Sequence, residues 1–318
     1  MKGTFVKELV VGPVTGVFKV KEVALKTGKN GKNYIDAVLF DKTGSIPCKV
    51  WDITPEAAVK WTNGAVFEIK GRLEKWKDRP QIVVESATPA EGLLLDASAF
   101  EDASPVSLEE LKSEFNKLTD KIGDAGLSAL IKAVFSDKAV WERFSIWPAA
   151  VQYHHAYKHG LLEHTVSVGR LGLEIANATG RVDKDYLLTG CCLHDIGKIY
   201  ELTGTTPYDY TDEGRLIGHI FLGTELVRQK ADGVKGFAED KLIRVLHMIL
   251  AHHGEREFGS PVLPATAEAI ALHHIDNIDA KLQAADYVTA RDQTPGSWTD
   301  YVKMFETKLF KGAENTGE

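Results

Sequence analysis

The stretch CCLHDIGK, residues 191–198, sets a histidine and an aspartate side by side in apolar company. An imidazole and a carboxylate on a core-facing helix stripe are costly unless something satisfies both. The same pattern recurs around it. His164 in LLEHTVSVGRLGLEI shares a helical phase with Val168, Leu171 and Ile175, and Asp195 follows Leu187 and Cys191 at i+8 and i+4. His219 follows Leu216 by three residues, and His253 follows Leu242, Leu246 and Ile249. Asp276 follows Ala269 and Leu272, with Asp279 one turn further on. All 11 histidines fall between 154 and 274.

A lone histidine on an apolar face is usually a satisfied core residue, but this many in phase point to one shared partner. A divalent metal cluster would satisfy them together. Imidazole and carboxylate donors without clustered thiolates suit Mn²⁺ or Fe²⁺ better than a structural Zn²⁺ site, with Co²⁺ and Mg²⁺ also compatible. The expected ligands are His164, His194, Asp195 and Asp276. His219, His252 and His253 are further candidates, although helix caps and outer contacts also use histidine. His154, His155, His159, His247, His273 and His274 are undecided, and Cys191 and Cys192 read as packing residues.

Upstream the pattern changes. GVFKVKEVALKT (16–27) and YIDAVLFD (34–41) read as strands joined by GKNGKN, and IPCKVWD (46–52) as a third. TPEAAVKW opens a short helix with Thr54 before Pro55, and AVFEIKGRLEKW (65–76) and PQIVVES (80–86) supply two more strands. Three strands, a helix and two strands is the order of an oligonucleotide/oligosaccharide-binding (OB) barrel over residues 1–90. Such barrels stack bases of single strands on aromatics within a basic groove. Phe18, Tyr34, Phe40, Trp51 and Trp76 are the candidate rings, with Lys19, Lys21, Lys32, Lys49, Lys75, Lys77 and Arg79 for phosphates, against the plainer reading that most are core or solvated surface.

Residues 91–106 read as a linker, residues 107–312 as helices opened by Ser107 and Glu110 in a capping-box pattern, and 313–318 as a polar tail. The expected class is an all-β OB barrel followed by an all-α domain. The net charge of -7 divides unevenly: residues 1–90 hold 15 Lys and Arg against 10 Asp and Glu, so the first part can meet a polyanion and the acidic remainder can hold cations. No apolar run is long enough to span a bilayer, no signal peptide is recognisable, and three cysteines make no disulfide framework. We therefore expect a cytoplasmic protein with no membrane partner, and the apolar linker and helix surfaces leave room for a homo-oligomer.

GLLEHT, LHDIGK, GHI, AHHGEREFGSP and HHIDNIDAKL, in that order over most of residues 107–312, resemble the HD-domain phosphohydrolases, close to the YhaM-type 3′ to 5′ exoribonucleases, which pair an OB barrel with an HD domain. The resemblance implies His164 as the first metal histidine, His194 and Asp195 as the doublet, and Asp276 as the closing aspartate, with Asp279 as a competitor. It places His219, His252 and His253 where two-metal members carry extra ligands, and Lys198 as a basic residue near the scissile phosphate. The function implied is metal-dependent 3′ to 5′ hydrolysis of single-stranded nucleic acid, RNA favoured over DNA, releasing 5′-mononucleotides. Asp195 would orient the water and Lys198 would stabilise phosphorane-like charge. The alternatives are hydrolysis of small or cyclic nucleotides, and nucleic-acid binding around a structural metal.

Overall fold

The computed structural model describes residues 3–76, 79–90, 99–100, 103–151, 154–292 and 294–312. Lys77, most of the expected linker and the polar tail lie outside the described residues. Two compact units divide the chain, one containing the N-terminal strands and the other the helices.

In the first unit, β1 (Gly12–Thr27), β2 (Asn33–Asp41), β3 (Gly44–Val50), β4 (Val66–Trp76) and β5 (Arg79–Pro89) close a barrel in the order β1-β2-β3-β5-β4. All neighbours are antiparallel except β3 and β5, which pair in parallel. The short α1 (Pro55–Ala58) crosses between them, capped by Thr54 Oγ1, which accepts the Ala57 N–H. Alternation decides which side chains fill the interior: Val14, Phe18, Val20, Ile35, Leu39, Ile69 and Ile82 point inward and are buried.

The second unit contains α2 (Leu108–Thr119), α3 (Ala125–Phe135), α4 (Lys138–Ile146), α5 (Gly160–Thr179), α6 (Lys184–Leu193) and α7 (Lys198–Glu201). It continues with α8 (Asp212–Ile217), α9 (His219–Asp232), α10 (Glu239–Ala251) and α11 (Ala267–Arg291). Its core runs through α2, α3, α5, α6, α10 and α11. The α5 face differs from the stripe expected of its large residues. Leu171 and Ile175 lie partly exposed at its margin, while Gly169 and Gly172 face the core, where a Cβ would meet Leu118 and Cys191 at 2.9 Å. Glycine here permits close helix approach, which a hydrophobicity pattern does not register.

Residues 298–310 correct the all-helical expectation for 107–312. β6 (Trp298–Val302) and β7 (Thr307–Phe310) form a two-stranded antiparallel hairpin after α11. Their Trp, Tyr, Val, Thr and Phe content favours a pleated surface over a helix. Among the described residues no helix is long and apolar enough to cross a membrane.

Candidate metal centre and nucleic-acid face

Helices α5, α6, α9, α10 and α11 bring five histidines and two aspartates of the second unit together. His164 comes from α5, His194 and Asp195 from the end of α6, His219 from the first residue of α9, His252 and His253 from the end of α10, and Asp276 from α11. Two details differ from the expected phases. Leu216 is 85% exposed on α8, so His219 is buried by its place at the start of α9 and not by a shared stripe. Helix α10 stops at Ala251, and Gly254, at φ 79°, takes the left-handed conformation that ends it. His252 is therefore the fully buried member of its pair and His253 the half-buried one.

The imidazoles share one arrangement: each commits its Nδ1–H to an outer acceptor. His164 donates to Asp279 Oδ2 (2.7 Å), His194 to the Cys191 carbonyl (3.0 Å) and His252 to the Ile249 carbonyl (2.7 Å). His219 donates to Glu201 Oε1 (2.8 Å) and His253 to the Phe258 carbonyl (2.6 Å). With Nδ1 engaged, Nε2 is the nitrogen left to face the interior, the pattern by which outer partners orient metal-binding histidines.

The Nε2 atoms of His164 and His194 lie 3.1 Å apart, and Asp276 Oδ1 lies 3.2 Å from the first and 3.7 Å from the second. Asp195 Oδ2 is 3.4 Å from both. The other oxygen of the same carboxylate, Oδ1, lies 3.5 Å from His219 Nε2 and 3.6 Å from His252 Nε2. Asp195 Oδ1, His219 Nε2 and His252 Nε2 are buried without a hydrogen-bond partner, an expensive arrangement that a shared cation would relieve. Ligand atoms of His164, His194 and Asp276, and separately of His219, His252 and His253, lie within 4.8 Å of one another and could hold a metal ion.

Electrostatics point the same way. Burial opposes charge on His164, but the Asp195, Asp276 and Asp279 carboxylates outweigh it and hold the imidazole well above its ordinary pKa. Burial likewise opposes ionisation of Asp195, yet Lys198 and His194 keep its carboxyl well below the usual range. Burial, then His194 and His253, push His252 well down, leaving a neutral ring able to donate its Nε2 lone pair. Lys198 Nζ sits 2.6 Å from Asp195 Oδ2, its charge held by that carboxylate against burial.

Asp276 and Asp279, both expected as contenders for one place, occupy different ones. Asp276 joins the Nε2 side of His164, and Asp279 joins its Nδ1 side. Asp279 also accepts from His155 Nε2 (3.0 Å) and from the Ser167 hydroxyl. The sequence does not single out Glu201 or Ser167 as site residues, and it leaves His155 undecided. Glu201 holds His219 through both its backbone N–H (2.9 Å) and its ring. Nothing in a lone glutamate or serine within a helix distinguishes such an outer acceptor from a surface residue.

In the barrel, Phe18 is 0% exposed and packs in the core, so the expectation that it stacks on a base is corrected: alternation along β1 turns it inward. Phe40, 9% exposed, is also buried, but on the face of β2 opposite Ile35 and Leu39, where Lys21 Nζ lies 5.7 Å from its ring. Tyr34 and Trp51 come together with ring centroids 4.7 Å apart, Trp51 half exposed, and Lys49 Nζ lies 5.0 Å from the Tyr34 ring. Asp36, between them on the same sheet face, pairs with Lys49 (3.1 Å) and Lys26 (2.5 Å). Lys75, Trp76 and Arg79 are exposed at the β4–β5 hairpin, where Trp76 and Arg79 pair, and Lys19 is half-buried. Lys32 pairs with Asp52 at 2.6 Å.

Comparison with known proteins divides the chain at the same places. A family model described as the HD domain matches residues 161–281, and one described as an OB-fold nucleic acid binding domain matches residues 10–90. Among solved structures, the protein PriB from Ralstonia solanacearum is 10% identical, with 26% of this chain and 100% of that chain covered and a TM-score of 0.23. The second OB-fold domain of replication protein A from Methanococcus maripaludis is 22% identical, with 29% and 98% covered and a TM-score of 0.22. The chain therefore joins a five-stranded OB-fold barrel to a helical HD domain region.

Proposed function

We propose that this chain is a metal-dependent phosphodiesterase that shortens single-stranded nucleic acid, RNA favoured, from its 3′ end and releases 5′-mononucleotides. The observation that carries the reading is the pair of facing donor sets that share Asp195, with Oδ1 of Asp195 and Nε2 of His219 and His252 buried and unpaired. His164, His194, Asp195 and Asp276 would hold one ion, and Asp195, His219, His252 and His253 a second. Asp279 and Glu201 would act from outside, fixing His164 and His219. A pair of divalent ions supplies Lewis acidity toward a phosphodiester oxygen and a water of lowered pKa.

The chain's own residues do the rest. Lys198, buried against Asp195, places a fixed positive charge where phosphoryl charge grows, an arrangement worth more in a dry site than in water. His154 faces His164 with ring centroids 6.4 Å apart. Burial, aided by Lys198, pushes its pKa down to about 4, so it presents a neutral imidazole to substrate at physiological pH. The barrel contributes Tyr34, Trp51 and Lys49 as a stacking and phosphate-binding face, with Lys75, Trp76 and Arg79 as further contacts. A strand-holding module in the chain makes a polymer the better substrate.

The test is incubation of 5′-labelled single-stranded RNA and its DNA counterpart with Mn²⁺, with chelator, and with Asp195→Ala protein. A metal-dependent ladder shortening from the 3′ end, absent from the variant, is the expected result. Intact oligomers alongside turnover of free nucleotides would replace this reading with a small-nucleotide phosphohydrolase, and binding without any turnover would reduce the metal to a structural role.

A further inference from the structure

The C-terminal hairpin carries an outward face that the metal centre and the barrel do not use. Strand β6 pairs Trp298 with Phe310, then Tyr301 with Lys308. The register therefore advances three residues on β6 for two on β7. An unbroken strand would send Trp298 and Tyr301 to opposite faces, since side chains alternate. The bulge at Thr299 and Asp300 re-phases the strand and places both rings on the face of Phe310 and Lys308.

That bulge is held by specific bonds. Thr299 is fully buried, and its hydroxyl accepts the Leu309 N–H (2.9 Å) while donating to the Asp300 carbonyl (2.7 Å). Lys311 ties the hairpin's end down: its Nζ donates to Asp292 Oδ1 (2.7 Å) and the Thr294 carbonyl (2.5 Å), and its N–H to the Ser297 carbonyl (2.8 Å). A fixed backbone thus presents Trp298 (53% exposed), Tyr301 (62%) and Phe310 (58%) to solvent, with the Trp298 and Phe310 ring centroids 5.1 Å apart.

We infer that the Trp298, Tyr301, Phe310 and Lys308 face of the β6–β7 hairpin is a second single-strand nucleic-acid contact, located in the HD unit itself. This inference rests on the polymer substrate proposed above and adds a contact to it. Three things favour a nucleic acid as occupant. Every apolar residue at the four re-phased positions is aromatic, which suits base stacking. The one charge among those positions is a lysine, with no carboxylate; Asp300 lies in the bulge and Glu306 in the turn, where Lys303 also lies. The hairpin comes after α11, the helix that carries Asp276, and lies in the same compact unit as the donor cluster.

The test is fluorescence anisotropy of the full-length protein in chelator with a labelled oligouridylate of about 20 nucleotides, longer than the ~4–16 that an OB fold covers. Trp298→Ala and Tyr301→Ala should each weaken binding about tenfold, the scale of one lost stacking ring, and Tyr301→Phe should restore it. Trp51→Ala serves as the barrel comparison, and thermal melts with light scattering follow folding and mass. Wild-type affinity in both hairpin variants, with loss only in Trp51→Ala, would overturn the inference and leave the proposed function standing. No binding by the wild-type chain would overturn both. A fall in mass on Trp298→Ala would instead make the face a contact between copies of the chain and would also overturn it.

Discussion

At the residue scale the proposed metal centre depends on how its donor side chains are held. Removing an outer acceptor frees an imidazole to rotate without deleting a donor. Asp279→Ala and Glu201→Ala should therefore each reduce Mn²⁺ affinity about 10- to 100-fold by titration calorimetry, with the ligand set intact. Lys198→Met should behave in the opposite manner. It lifts a competing cation from Asp195, so Mn²⁺ binds at least as tightly as in the wild type. Turnover should nevertheless fall about 10²-fold, because the fixed charge at the transition state is gone. Equal loss of metal affinity in this variant would make Lys198 a packing residue only.

At the scale of elements, helix ends are set by local chemistry that the chain carries openly. Asp124 caps α3 by accepting the Gly126 (2.9 Å) and Leu127 (3.0 Å) N–H groups and pairs with Lys241 of α10. Lys241 first, then the Leu127 amide, hold its carboxyl below the ordinary range. Its folded-state pKa is depressed, so its stabilisation is present above the unfolded value near ~4 and is lost as pH falls through the lower folded value. Asp124→Ala should cost about 1 kcal/mol in urea melts at neutral pH. The gap to wild type should close as the medium is acidified below pH ~4; a gap that persists there would mean the cost is packing. The β6–β7 hairpin shows where element reading fails. Its alternation is broken by the bulge at Thr299 and Asp300, so neither a period of two nor one of 3.6 stands out.

At the scale of the whole molecule, a cation held as proposed by the buried unpaired atoms around Asp195 would link folding to metal binding. Ions that bind the folded chain alone stabilise it by about 2.7 kcal/mol at ~100 times their Kd. Chelation should therefore lower the Tm of the Mn²⁺-loaded protein by several degrees, and Asp195→Ala should abolish the difference. A Tm indifferent to Mn²⁺ would refute a cation at these donors. The barrel adds the polymer: Trp51→Ala with Lys49→Ala should weaken oligonucleotide binding, more so at low salt where phosphate contacts count most, while cleavage of a dinucleotide changes less. Equal loss on both substrates would refute that division of labour.

Strand order, the barrel and the set of His and Asp donors that the helical unit gathers were legible in the chain because each rests on local periodicity or on residue type. Five strands emerge from alternating β-branched and aromatic residues, and His164, His194, Asp195 and Asp276 from polar donors in apolar phase. The separation of Asp276 from Asp279 was not legible, since both lie on one helix a turn apart and only the rotation of α11 against α5 decides which meets Nε2 and which Nδ1 of His164. Phe18 likewise matched a stacking residue by type, and its burial follows from barrel closure. The sequence by itself determined which donors and which strands exist, because composition and period are properties of short segments. Tertiary structure alone decided that the two oxygens of Asp195 face two different sets of imidazoles, because those ligands come from helices far apart in the chain and converge only when the core packs.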